Sequence, residues 1–300
     1  MLFSLMSPLR VVFILFCVMF FSCSNVNMST HPDLGLSQEE KMDLDCFFNY
    51  VLFSESGVFV LFGSKPMVSV SIVHWPTSPS DYGEPISEEE LLRTGQGIKL
   101  GGLIKRDPYN GWLVWKKIEN KIKRNGRYLM TTHAGFSNSE ELYLVDVQRL
   151  ALVLAENYED FKKVVEVDFH PLEVVFELEN KNSVFWKKIF KSKNFVPKGL
   201  IFGYGKENAL FFDWKWDAEE LPPAVRDSLN TFSFAQTSFT MIENPFLYFN
   251  ANSKNFEIPM FMHIEGDKTV HRYKKEKKKI KKVYRNKDMI ETTLKRLQSG

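Results

Sequence analysis

The spacing of apolar residues changes period several times along the chain, and each change predicts an element. Ser37 with Glu40 three positions later reads as a capping box, and Met42, Leu44, Phe47, Phe48, Val51 and Leu52 continue at helical spacing. Residues 54–57 mark the end of that helix. Val58–Phe62 and Met67–Val73 read as two strands joined by Gly63-Ser64-Lys65-Pro66, a predicted hairpin. Ser87 followed by Glu88, Glu89 and Glu90 predicts a second helix start, because acids favour the positive end of the helix dipole. Gly95, Gly97, Gly101 and Gly102 weaken that helix further on. Residues 111–122 mix Trp112, Trp115, Lys116 and Lys117 and fit a helix or a strand.

Residues 127–132 and 141–145 predict a strand pair around a turn at 134–138. Val147, Leu150, Leu154, Tyr158, Phe161 and Val165 keep three-to-four spacing, so a helix follows. After a break at Pro171, Phe185, Ile189 and Phe190 suggest another helix. Residues 200–212 are apolar except for 203–208, Pro222-Pro223 is the best seam, and 232–240 and 256–264 are the last strand candidates. From Lys268, Ile280, Val283, Ile290, Leu294 and Leu297 recur at three or four with Lys and Arg on the other face, which predicts a C-terminal helix. Helices and antiparallel strand pairs without a regular βαβ alternation give an α+β class.

The N-terminus has another character. Arg10 precedes the unbroken apolar run 11–21, then Ser22 and Cys23. A charged residue, a short apolar stretch and a small residue form the order of an export signal. The run is shorter than the roughly 20 apolar residues a membrane-spanning helix needs. Extending it backward would bring in Pro8 and Arg10. Phe20-Phe21-Ser22-Cys23 resembles the lipobox of bacterial lipoproteins, with Phe20 in place of the usual Leu and Phe21 in place of a small residue. The resemblance implies cleavage before Cys23, a lipid on its thiol and a membrane partner reached through that lipid. The polar stretch after it, with Ser24, Asn25, Asn27, Ser29, Thr30 and Pro32, suits a tether. Asp does not follow Cys23, which by the sorting rule of enteric lipoproteins favours the outer membrane. Plain secretion and an uncleaved anchor are the alternatives. The expected organisation is a signal peptide at 1–22, a tether at 23–36, an α+β body at 37–266 and a basic C-terminal helix at 267–300.

Composition supports a folded body without disulfides. Of the three cysteines, Cys17 lies in the signal, Cys23 would carry lipid and Cys46 sits in an apolar run as a small buried hydrophobe. Hydrophobic residues make up 44% of the chain, enough for a sizeable core. The 27 phenylalanines fit an AT-rich coding sequence better than an aromatic binding role. A net charge of +2 hides an asymmetry: residues 271–300 carry 12 Lys and Arg against Glu276, Asp288 and Glu291, and residues 24–270 carry 26 basic against 34 acidic side chains. The basic tail is expected to pack its apolar stripe on the body. Its lysines then face solvent, an anionic lipid surface or an acidic protein. An acidic body argues against nucleic acid.

Catalytic signatures are sparse. Residues 95–102 lack the Gly-Lys-Ser/Thr of a P-loop. His133, near Ser137 and Glu140, could supply a base and a nucleophile for an envelope hydrolase, without a Gly-x-Ser-x-Gly elbow. His74 and His170 read as structural. The six histidines form no zinc pairing, and no motif calls for a metal or a cofactor.

Two segments interrupt apolar runs with glycine and charge: Leu61-Phe62-Gly63-Ser64-Lys65-Pro66 and Ile201-Phe202-Gly203-Tyr204-Gly205-Lys206-Glu207-Asn208. Glycine there points to a close backbone approach or a positive φ. One expectation is that the segments pack tightly, on each other; the other is a binding pocket lined by Lys65, Lys206, Glu207 and Asn208. The two phrases resemble those of uncharacterised envelope proteins of chlamydia-like bacteria, a resemblance that implies no activity. A binding or structural role at the envelope is the leading expectation, and a hydrolase using His133 and Ser137 is the alternative.

Overall fold

Strand Met67–Val73 (β1) does not pair with the segment just before it. In the computed structural model, which describes residues 34–73, 106–123, 125–134, 139–219, 237–239 and 251–300, Val58–Phe62 is a short helix. The expected hairpin is therefore absent. Val58, Phe59, Val60 and Leu61 are all buried, so the run shows no polar face from which its period could be read.

Eleven helices and two antiparallel sheets make up the described fold, which is α+β. The first helix, α1 (Gln38–Asn49), starts at the capping box: Ser37 Oγ accepts from the Glu40 amide at 3.1 Å, and Glu40 Oε2 accepts from the Ser37 amide at 2.8 Å. A π-helical turn, Tyr50–Ser54, carries it to α2 (Val58–Phe62). Residues 111–122, open to either assignment in sequence, are mostly α3 (Pro108–Ile118), started by Asp107 as N-cap with Pro108 in the first turn. Strands β2 (Tyr128–Ala134) and β3 (Ser139–Asp146) form the expected pair, and β3 is central in the order β1-β3-β2.

Register divides the sheet into two faces. Val68, Val70, Leu142, Leu144, Tyr128 and Met130 point one way, towards α2 and α3: the Tyr128 hydroxyl donates to the Leu61 carbonyl at 2.9 Å, and Trp112 Nε1 donates to Glu140. Met67, Val145, Leu129 and Tyr143 point the other way, into a core built with the helices that follow. These are α4 (Val147–Glu156), α5 (Tyr158–Val165), α6 (Pro171–Phe176), α7 (Val184–Lys191), α8 (Phe195–Ile201) and α9 (Lys206–Glu219). The single helix expected over 147–165 is broken at Asn157, whose φ of −118° and ψ of 30° leave the helical region. Pro171 starts α6 rather than only ending what precedes it.

Of the last two strand candidates, only β4 (Thr237–Phe239) and β5 (Met262–Ile264) pair among the described residues. The basic tail is two helices, α10 (Lys268–Val283) and α11 (Met289–Ser299), capped by Asp267 and Asp288. Residues 37–300 form one unit that includes both; the expected seam at Pro222-Pro223 lies outside the described residues. The expected helix from Ser87, the glycine run at 95–102, Cys17, Cys23, His74 and Ser137 lie outside the described residues.

Candidate functional site

The two glycine-bearing segments meet, and together they seat α10. Lys65 leaves α2 and turns inward until only 2% of it is exposed. Its Nζ donates to the Phe202 carbonyl at 2.8 Å and lies 4.6 Å from the centre of the Tyr204 ring. Burial pulls its pKa down to about 7, opposed by the negative charge of Glu55. Burial also pushes the neighbouring Tyr204 phenol up to about 12.

Gly203 has a φ of 76°, and a Cβ there would stand 2.6 Å from the Tyr273 hydroxyl and 2.8 Å from Pro66 Cδ. Its backbone conformation and its close contacts both require glycine. The Gly203 carbonyl accepts from the Tyr273 hydroxyl at 2.8 Å and from Arg272 at 3.2 Å, so α10 is fastened to this loop. A second fastening lies at the other loop, where the Ser64 amide donates to Glu276 Oε2 at 3.1 Å and a Cβ on Gly63 would collide with the same oxygen. Tyr273 also packs edge-on to Phe59 of α2.

The residues expected to line a pocket divide between interior and surface. Asn208 is buried, donating to the Tyr204 carbonyl at 2.8 Å and accepting from the Ile264 amide at 3.1 Å, which joins α9 to β5. Lys206 is exposed and paired with Asp160, and Glu207 is exposed. Lys65 and Asn208 thus act as internal fastenings.

Sequence reading passed over a polar row beside His133. On β2, His133 stands opposite Glu141 of β3, which in turn stands opposite Ser71 of β1. Glu141 accepts from the hydroxyls of Ser71, at 2.6 Å, and Ser69. The imidazole Nε2 of His133 lies 2.6 Å from the Leu178 carbonyl, which can only accept, so Nε2 is the donor. Glu140 belongs to the opposite face and pairs with Lys116 at 2.9 Å, so it is not a partner of His133. The alternation of Ser69 and Ser71 within an apolar strand was the available signal for the row.

Helix α10 presents a charged face. Every exposed residue on it is basic: Lys268, His271, Arg272, Lys274, Lys275, Lys278, Lys279 and Lys282. At helical spacing these share one face, while Val270, Tyr273 and Ile280 are buried on the other. The sole acid of the helix, Glu276, is turned to the Ser64 amide, and Lys277 pairs with Glu257 at 2.8 Å. Like charges three and four apart cost about 0.2–0.5 kcal/mol per pair on a helix, so this face is held against its own repulsion by the buried side. The expected packing of an apolar stripe on the body, with lysines facing solvent, is what the structure shows.

Cys46 is partly buried, and its thiol donates to the Arg106 carbonyl at 3.2 Å. Burial, aided by Asp107, Asp43 and Asp45, pushes its pKa up to about 12, which leaves little nucleophilic thiolate at neutral pH. Among the described residues no group of three His, Cys, Asp or Glu side chains could hold a metal ion, and no helix is long and apolar enough to cross a membrane. No protein-family model matches the chain, and neither a curated protein nor a solved structure does.

Proposed function

We propose that this is an exported protein of the bacterial envelope, held at the membrane by a lipid on Cys23, with the outer membrane favoured. Its body serves a binding or structural role. The observation that carries the reading is the order of Arg10, the apolar run 11–21, Ser22 and Cys23, followed by a polar stretch. The first described helix, α1, begins after that stretch, at the capping box of Ser37 and Glu40. Two or three acyl chains at about 0.8 kcal/mol per buried CH₂ would anchor the chain stably without any contribution from the body.

Intact mass and membrane partitioning of the native protein beside Cys23→Ser test this. The reading expects a mature chain that starts at Cys23, carries added acyl mass and partitions with membranes, and a variant without that mass. An unmodified native chain would sink it, and a native chain that keeps its first 22 residues would show an uncleaved anchor instead.

A further inference from the structure

We infer that the exposed face of α10 is a docking surface for anionic phospholipid, laid along the membrane plane. This deepens the envelope reading, since a lipid tether brings the body to such a surface.

The chemistry of the face selects the partner. Its exposed positions hold six lysines, one arginine and one histidine, with no acidic and no apolar side chain among them. A protein interface has a desolvated centre enriched in aromatic residues, Met and Arg and depleted of Lys. An α10 face of this composition offers no such centre. Recognition of a fixed phosphate by paired hydrogen bonds favours arginine, whose planar fork lysine lacks. Here the one arginine already donates to the Gly203 carbonyl. Flexible lysine side chains around a straight helix suit a fluid surface whose negative charges have no fixed positions, since attraction there needs proximity and not register.

Geometry and charge distribution point the same way. Sixteen helical residues extend about 24 Å, so the face presents a long flat contact. Residues 24–270 carry 26 basic against 34 acidic side chains. An anionic surface therefore attracts α10 more strongly than the chain that precedes it. The acids next to α10 in sequence are Glu265 and Asp267 before it and Asp288 after it; Glu276 within it is turned to the Ser64 amide, and Glu257 pairs with Lys277.

The test uses the mature chain, residues 23–300, carrying Cys23→Ser, so that neither an acyl chain nor the apolar run 11–21 contributes. Partitioning is compared between phosphatidylcholine vesicles and vesicles in which about a third of the lipid is phosphatidylglycerol, at low and at high salt. The expected result is a preference for the anionic vesicles that high salt abolishes. Replacing Lys274, Lys275, Lys278 and Lys279 by Gln should lower partitioning into the anionic vesicles by about six-hundredfold, at roughly fivefold per lysine, without changing partitioning into neutral ones. The same four positions as Arg should restore it, which shows that charge and not folding is lost. Equal partitioning into both vesicle types, or an anionic preference that survives the four Gln replacements, would overturn the inference. So would indifference to phosphatidylglycerol together with retention on immobilised polyglutamate, which would make the partner an acidic polypeptide. An anionic preference in a protein whose native form carries no acyl group would defeat the tether reading and leave this one standing.

Discussion

Lys65 sits where an ammonium is least at home, inside the body with a carbonyl at 2.8 Å and a tyrosine ring beside it. Its folded pKa, near 7, lies well below the roughly 10.4 of an unfolded chain. Between those values the unfolded chain binds more protons, so stability should rise with pH across that window, at up to about 1.4 kcal/mol per pH unit. Below pH 7 the cost of burying the charge is fully present. Chemical denaturation of the protein beside Lys65→Met, from pH 6 to pH 10, checks this: the variant should be the more stable at pH 6 and lose its advantage by pH 10. Parallel pH profiles would show that the lysine is charged and well solvated in the native state. The sequence made this residue conspicuous, because a lysine flanked by Gly-Ser and Pro within an apolar run is unusual. It did not reveal which way the side chain turns, since that depends on Phe202 and Tyr204, more than 130 residues away. Lys206 and Glu207 attracted the same attention for the same reason and lie on the surface.

At the scale of elements, legibility followed amphipathicity. The capping box of α1 and the apolar stripe of the basic tail could be read because each helix has a wet side and a dry side, whereas the β2–β3 pair, covered on both faces, was legible from two short apolar runs around a turn. By contrast the first four residues of α2 are all buried, and a short apolar run of that kind has no period to read. Breaks within helices also escaped notice: Asn157 between α4 and α5, and the turn before Asp288, interrupt stripes that continue in phase on both sides. The junction of β3 with α4 depends on Asp146, which is wholly buried. Its carboxylate takes Arg127 and Arg149, each at 3.1 Å, and caps α4 through the Arg149 amide. Asp146→Ala should therefore cost about 3–5 kcal/mol in urea unfolding, with Asp146→Asn recovering only the cap, worth about 1 kcal/mol. An Ala variant as stable as the parent would show that neither arginine depends on this carboxylate.

Across the whole molecule, the two glycine segments and the basic tail turn out to be one construction. Gly63 and Gly203 let α10 come close enough for Glu276 and Tyr273 to bond to the loops, and that seat leaves Lys268, Lys274, Lys275, Lys278, Lys279 and Lys282 exposed. Each part was visible in the sequence, but their union was not, because nothing local connects residues 63–66, 203–205 and 268–283. The central claim is that α10 is an integral part of the fold, held rigidly with its basic face out. Native-state hydrogen exchange of the α10 amides tests it most directly. The account predicts protection of the amides of Tyr273 to Ile280 comparable to that of the central strand β3, with protection of α10 falling in Gly203→Ala. Exchange of those amides in the parent protein as fast as in an unstructured chain would contradict it.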